Sequence, residues 1–227
     1  MNNLQKRIFT SFILSAVLFI CIFLNKYSFL ILVIIASVIS FFEFNNLIYK
    51  IWKKNEILKN SINIISFFYL LFFIYSAFSI YEKSLESIIL ILAICIFSDI
   101  GGYVIGKIIG GKKLTKISPN KTISGSVGSF AFSLIPIVLY KIYLDNTLKD
   151  IFLFIPNYFL VLVLMALSVS FMCQLGDLLI SYFKRKANVK DTGTLLPGHG
   201  GILDRIDGIM FGLPCALIID KMIILYS

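Results

Sequence analysis

The sequence predicts an all-α fold, a polytopic integral membrane bundle of about seven transmembrane helices (six to eight), with its N-terminus in the cytoplasm. Three observations carry this. The 227 residues are 59% hydrophobic and 15% charged, with a mean hydropathy of +0.93, which places the chain outside the composition of soluble globular domains. The apolar residues come in runs long enough to cross a hydrocarbon core of about 30 Å as helices. The Lys and Arg residues are also divided unevenly between the segments that join those runs.

Seven spans follow, at 8–24, 28–44, 62–81, 88–106, 123–142, 156–178 and 203–225. Lys6 and Arg7 give the first a start like that of a secretory signal. No small-residue cleavage site follows and the next run opens almost at once, so it is read as a membrane helix. The first three spans are rich in Phe, Ile and Leu with almost no polar side chains, and their one interior acid is Glu43. Near the end of its helix, Glu43 reads first as a side chain that snorkels to the interface, with packing or a substrate role as the alternative. Lys50 to Lys59 forms a basic amphipathic connector with Trp52 as interfacial anchor. The sixth span is the least defined, because the apolar stretch from Ile151 to Phe183 exceeds one untilted crossing and carries Pro156 near its start.

Charge then orients the bundle. With the N-terminus inside, Lys26, Lys83, Lys141, Lys149 and Lys221 fall outside and the other 16 of the 21 basic residues fall inside. The net charge of +9 therefore encodes topology, with attraction for anionic headgroups or a polyphosphate as its second use, and no nucleic-acid partner is implied. Cys21, Cys95, Cys173 and Cys215 lie in apolar runs without paired spacing and read as small core residues. Without repeats or a soluble segment able to fold alone, residues 1–227 read as one transmembrane domain. Its helices in 1–90 are scaffold and lipid-facing, and its catalytic half is 95–210 with cytoplasmic loops 107–122 and 181–202.

The polar residues of that half carry the chemistry. Of twelve carboxylates, Asp99, Asp177, Asp204 and Asp207 lie within or at the ends of apolar helices, where an ionised group is costly unless paired or bound to a cation. Asp204 and Asp207, three apart, share a face of the last helix, as Asp177 and Ser181, four apart, do on the one before. Oxygen donors from two facing helices suit Mg²⁺, so Asp177, Asp204 and Asp207 are the candidate metal ligands. The structural alternative has Asp204 capping the last helix and Asp207 paired with Arg205 or Lys184.

A second constellation is GGKKLTKISPNKTISGS, residues 110–126. Four lysines and the hydroxyl and amide groups of Ser118, Asn120, Thr122 and Ser124 precede a helix that starts near Ile123, and helix N-termini favour anions. An ordinary basic inside loop is the plainer reading. The segment Gly101 to Lys107, GGYVIGK, imitates the start of a phosphate-binding P-loop, but Ile108 stands where Ser or Thr is needed and a membrane helix stands where a strand is needed. Gly102 and Gly106, four apart, instead allow close helix packing. Asp99 sits one turn away and is placed to face the site.

The third constellation, SYFKRKANVKDTGTLLPGHGGILDRID, spans Ser181 to Asp207. It sets basic residues, carboxylates, the one histidine, His199, and several glycines between two apolar helices. A segment that only crosses a bilayer has no use for these charges, so a phosphate and metal site at the membrane surface is indicated. The glycines on either side of His199 let its ring approach a phosphate, a pyrophosphate leaving group or a base closely.

This order of residues resembles the phosphatidate cytidylyltransferases (CDP-diacylglycerol synthases). It matches their pattern at Ser181, Lys184, Arg185, Lys190, Asp191, Gly193, Pro197, His199, Gly200, Gly201, Asp204, Arg205 and Asp207. Ser118 to Gly125 is similar to the family's Ser-Pro-Lys-Lys-Thr-x-Glu-Gly run, departing at Asn120 and at Ser124, where the family has an acid. The resemblance covers about residues 95–210. It implies transfer of a cytidylyl group from CTP to phosphatidic acid, giving CDP-diacylglycerol and pyrophosphate, with Mg²⁺ as cofactor.

In that scheme Lys190, Asp191, His199, Asp204, Arg205 and Asp207 are the catalytic set. Ser118, Lys121, Thr122, Ser181, Lys184 and Arg185 bind substrate, and Asp191 orients Lys190 or reads the cytosine amino group. Whether a monovalent cation joins Mg²⁺, and whether two chains pair as a homodimer, are left open. The short chain implies a bacterial plasma membrane, with the active site on its cytoplasmic face. The alternatives are a CTP-dependent enzyme for another lipid (polyprenol kinase-like or an ether-lipid cytidylyltransferase), an organic-anion transporter, and an inactive relative suggested by Ser124.

Overall fold

The computed structural model describes residues 3–115, 118, 121–147, 158–198 and 200–226. These residues form eight helices: α1 (Asn3–Leu24), α2 (Lys26–Ile51), α3 (Glu56–Lys83), α4 (Leu85–Ile109), α5 (Ile123–Ser133), α6 (Ile135–Thr147), α7 (Tyr158–Lys186) and α8 (Leu203–Tyr226). Among the described residues the only β-type pairing is two isolated bridges. In lipid every backbone amide and carbonyl must find its partner within the segment, and only helices or closed barrels allow that.

Among the described residues a helix overlaps each of the seven expected spans. Five helical rods are long and apolar enough to cross a membrane: α2, α3, α4, the α5–α6 pair over Ile123–Tyr143, and α7 over Phe159–Lys186. Phe9–Leu24 is a shorter apolar helix, and the apolar run of α8 is bracketed by Asp204, Arg205 and Asp207 at one end and Asp220 and Lys221 at the other. Large side chains such as Phe12, 70% exposed, and Phe68, 64% exposed, cover the outer faces, as a lipid solvent requires. The chain is a polytopic helical membrane protein. Its seventh and eighth helices run beyond or near their expected bounds, whereas Pro156 lies outside the described residues.

Two compact units make up the chain, Met1–Leu85 with Leu179–Asp207, and Glu86–Leu178 with Gly208–Ser227. In the first, α2 packs on α1 and α3. Asn25 opens α2 with a capping box: its Oδ1 accepts from the Ser28 amide at 2.9 Å and its own amide donates to Ser28 Oγ at 3.3 Å. Asn55 caps α3 by accepting from the Leu58 amide at 3.0 Å. The far ends of α2 and α3 are joined by Lys26 and Glu82, 2.8 Å apart, and by the stacked rings of Phe29 and Tyr81. Trp52, the expected interfacial anchor, meets the Phe183 ring, and the Lys186 ammonium lies 4.4 Å from its centroid.

In the second unit α4 and α5 approach at backbone distance. A Cβ added to Gly101 would lie 2.4 Å from the Gly128 carbonyl oxygen, and one added to Gly125 would lie 2.7 Å from the Gly102 carbonyl oxygen. The expected role of Gly102 and Gly106 in helix packing is thus met, with Gly106 against Thr122 and Gly125. The fifth span is one rod broken at Leu134, because Pro136 has no amide to donate and its ring crowds the preceding turn. Cys95 and Cys173 are buried core residues, as expected, and Ser98 and Ser170 share a buried hydrogen bond of 2.8 Å. Gly101→Ala is expected to destabilise the second unit by about 1–3 kcal/mol through overpacking. A fall in the detergent melting temperature checks this, and an unchanged melt would mean that the two helices have room to separate.

Candidate active site

In the first unit α7 closes at Lys186, with Lys184, Arg185 and Lys186 in its last turn, where the helix dipole favours cations. Asn188 adopts a left-handed φ of 56°, and the Val189 amide turns back to the Lys184 carbonyl at 3.0 Å. The chain then forms a tight loop closed by Leu196 and Gly200, which exchange both backbone hydrogen bonds, at 2.9 and 3.1 Å. Gly198 and Gly200 supply the left-handed φ values of 79° and 85° that this turn needs. After it α8 starts, its first carbonyl acceptor being that of Ile202.

Asp204, in the first turn of α8, is the centre of this loop. Its Oδ1 lies 2.6 Å from the Lys184 ammonium. Its Oδ2 accepts from the Thr192 amide at 2.7 Å, the Gly201 amide at 3.1 Å and the Thr192 hydroxyl at 3.0 Å. Lys184 therefore pairs with Asp204. Asp204 itself accepts from amides upstream of the helix.

A second carboxylate stands beside it. Glu43 of α2 is 7% exposed, and it accepts from the Ile202 amide at 3.1 Å, the Leu203 amide at 2.9 Å and the Thr192 hydroxyl at 2.8 Å. The expectation that Glu43 snorkels is thus overturned. The N-cap residue of α8 is Ile202, which has no side-chain oxygen to satisfy the orphan amides of that helix, and Glu43 supplies the acceptor instead. This contact also explains two glycines. A Cβ at Gly193 would lie 2.5 Å from Glu43 Oε1, and one at Gly201 would lie 2.2 Å from Oε2.

The second unit holds a cavity of about 320 Å³ lined by Asp99 of α4, Gln174 and Asp177 of α7, and Ser118, Lys121 and Thr122 of the preceding loop and cap. Lys121 Nζ lies 2.5 Å from Asp177 Oδ2. The loop is held in a hairpin-like pairing, with the Leu114 amide donating to the Lys121 carbonyl at 2.8 Å and the Ile123 amide to the Lys112 carbonyl at 3.0 Å. Thr122 is the N-cap of α5, accepting from the Gly125 amide at 3.0 Å. Ser124 donates to the Gly110 carbonyl at 2.5 Å, so at this position the side chain ties the end of α4 to the start of α5.

The donor chemistry of this cavity fits a hard cation. Asp99 lies within the field of both Asp177 and Lys121, and the Gln174 amide oxygen accepts from Ser126 Oγ at 2.5 Å on the same wall. Among the described residues no group of three or more His, Cys, Asp or Glu side chains converges as a protein-only metal cage. Mg²⁺ does not need one, since it is commonly held by one or two carboxylates and completes its shell with water and phosphate oxygens.

Four of the expected site residues, Ser118, Lys121, Thr122 and Asp177, thus line one cavity in the second unit, while Lys184 and Asp204 are joined in the first. There Asp191 packs against Gly200, Ser181 is buried, Asp207 is partly buried, and Arg185, Lys190 and Arg205 are exposed. His199 and Asn120 lie outside the described residues. Two groups were not assigned from the sequence. Gln174 is three residues before Asp177 on α7, a same-face spacing that pointed to it. For Glu43 the signal was an acid in an otherwise apolar helix.

Residues 47–223 match the profile of the cytidylyltransferase family. Among curated proteins, the phosphatidate cytidylyltransferase of Staphylococcus haemolyticus is 46% identical over 118 residues, covering 52% of this chain and 42% of that protein. Those of Staphylococcus saprophyticus and Bacillus subtilis are each 40% identical, over 134 and 118 residues, covering 59% and 52% of this chain and 48% and 40% of theirs. The chain spans about half the length of the curated relatives it matches. With the profile extending over most of its residues, including α4 to α7 and both polar loops, the chain belongs to the cytidylyltransferase family.

Proposed function

We propose that this chain transfers the cytidylyl group of CTP to phosphatidic acid at the cytoplasmic face of a bacterial plasma membrane, giving CDP-diacylglycerol and pyrophosphate. The observation that carries this reading is the segment from Ser181 to Asp207. It has the residue order of the phosphatidate cytidylyltransferases, and its Asp204 is held by one ammonium, two backbone amides and a hydroxyl. The names of the relatives supply the substrates.

A phosphate oxygen of phosphatidic acid attacks the α-phosphorus of CTP; the new P–O bond forms as the bond to the β-phosphate bridge breaks, and pyrophosphate leaves. The attacking group is already an oxyanion, so no general base is needed, and positioning and charge neutralisation do most of the catalysis. Lys121, Ser118 and Thr122 offer donors to phosphate in the cavity of the second unit, and Lys184, Arg185, Lys190 and Arg205 do so in the first. Asp191 orients Lys190, and His199 contacts the leaving group. Asp177, with Asp99 beside it, offers oxygen donors for Mg²⁺, and Asp204 and Asp207 are the proposed donors of the first unit. When bound, Mg²⁺ neutralises the triphosphate.

Purified protein in detergent micelles with phosphatidic acid, Mg²⁺ and CTP labelled in either the α- or the γ-phosphate tests the reaction. Label from the α-phosphate alone is expected in the lipid fraction, and chelator is expected to stop it. Label from the γ-phosphate would mean a lipid kinase, and no label in lipid from folded protein would overturn the proposal.

A further inference from the structure

We propose that Glu43, which lies just before the matched family segment 47–223, is a positioning residue that caps α8 from α2 and, through Thr192, sets the geometry of Asp204. This rests on the reaction proposed above for its kinetic consequence, but not for the structural one.

The argument begins with the cost of the arrangement. A carboxylate that is 7% exposed is expensive unless compensated, and among the described residues the partners of Glu43 are two amides and a hydroxyl, not a cation. Both amides belong to the N-terminus of α8, where unpaired N–H groups and the helix dipole favour negative charge. Because Ile202 cannot cap, the start of α8, and with it the backbone that places Asp204, is fixed by a side chain from α2.

The second link is the Thr192 hydroxyl, 2.8 Å from Glu43 Oε2 and 3.0 Å from Asp204 Oδ2. Its one proton is shared between the two carboxylates and anchors Thr192, whose amide lies 2.7 Å from Asp204 Oδ2. With Glu43 replaced, that anchor is weakened and the amide holds the Asp204 carboxylate less firmly before Lys184. Glu43 thus acts on Asp204 without touching substrate.

Glu43→Gln keeps the size of the side chain but cannot keep its hydrogen bonds. One carboxylate oxygen accepts from Ile202 and the other from Leu203 and Thr192, so in either orientation the new amide nitrogen faces a backbone N–H. Thr192→Val leaves the cap and removes only the link to Asp204.

Two readouts test the inference in the 227-residue chain in micelles: amide hydrogen exchange, and cytidylyl transfer as a function of Mg²⁺. Glu43→Gln is expected to lower the exchange protection of residues 192–204 at least tenfold while that of α3 is unchanged, and to lower kcat at least tenfold with a higher Mg²⁺ requirement. Glu43→Asp is expected to recover part of both. Thr192→Val is expected to keep the protection of Ile202 and Leu203 yet lower kcat, Thr192→Ser to behave as wild type, and Glu43→Gln with Thr192→Val together to be no slower than Glu43→Gln alone.

Wild-type protection in Glu43→Gln would overturn the cap. Lost protection with wild-type kcat and Mg²⁺ dependence would reduce Glu43 to a structural residue and overturn the positioning role. If Glu43→Gln does not accumulate, Thr192→Val decides, since an unchanged kcat there breaks the link. If the wild-type chain transfers no label, it is the proposed reaction that fails, and the exchange data still decide whether Glu43 fixes the loop.

Discussion

Asp204→Asn is expected to abolish cytidylyl transfer while the chain still inserts and purifies in micelles at wild-type yield. Insertion is set by the long apolar helices, none of which this change touches. The site is touched directly. Asp204 offers one oxygen to the Lys184 ammonium at 2.6 Å and the other to two amides and a hydroxyl. An asparagine places an N–H₂ group against one of these donor sets in either orientation, and it leaves Lys184, whose side chain is only 15% exposed, without its counter-charge. Removing one partner of a buried pair costs about 3–5 kcal/mol locally, enough to displace the loop around Asp204, whose other anchors are backbone hydrogen bonds and the contacts of Glu43. Loss of one preorganised electrostatic group in an active site lowers rates by about 10²–10³ on its own. Labelled lipid formed per mole of protein is the measurement, with Asp204→Glu as the variant that keeps the charge. Transfer by Asp204→Asn at more than a tenth of the wild-type rate would remove Asp204 from the site.

The helices were legible because the membrane leaves few choices. An apolar run of the right length becomes a helix whatever its neighbours do, so each expected span reappears with its bounds shifted by the caps. The packing of Gly102 and Gly106 was legible for a similar reason, since spacing of four on one helix is a local property. What the sequence hid is long-range hydrogen bonding. The partners of Glu43 lie some 150 residues further on, in a segment whose own polarity suggested a ligand. Near a helix end the default for an isolated acid is to reach for water, and only the apolar N-cap Ile202 hints that an acceptor is needed elsewhere. The pairing of Lys184 with Asp204 was hidden as well, because three-residue spacing puts Asp204 and Asp207 on one face and does not say which of them meets the lysine. Gly193 and Gly201 were matched as pattern, and their physical cause emerged only with the Glu43 carboxylate lying where their Cβ atoms would be.

Asp177 and Lys121 are expected to move two kinetic requirements in opposite senses. They form the ion pair of the second unit's cavity, 2.5 Å apart and partly exposed, with Asp99 on the same wall. Lys121→Met removes the one basic side chain among the described residues that line this cavity and leaves two carboxylates on its wall. A site made more negative holds a divalent cation more tightly and a triphosphate less tightly. A hydrogen bond to a charged group contributes about 1.5–3 kcal/mol, and about 1.4 kcal/mol is tenfold, so the CTP concentration for half-maximal rate is expected to rise about tenfold or more. The Mg²⁺ requirement falls at the same time. Asp177→Asn does the reverse, since it halves the formal negative charge of the wall and removes an oxygen donor that a small cation needs. Its Mg²⁺ requirement is expected to rise and its kcat to fall about 10²-fold or more. Titrations of Mg²⁺ at saturating CTP, and of CTP at saturating Mg²⁺, separate the two effects. Parallel shifts in the two variants would mean that the pair serves the fold of the loop and not the charge of the cavity. Opposite shifts are a signature that loss of packing does not produce, because a displaced loop weakens nucleotide and metal together.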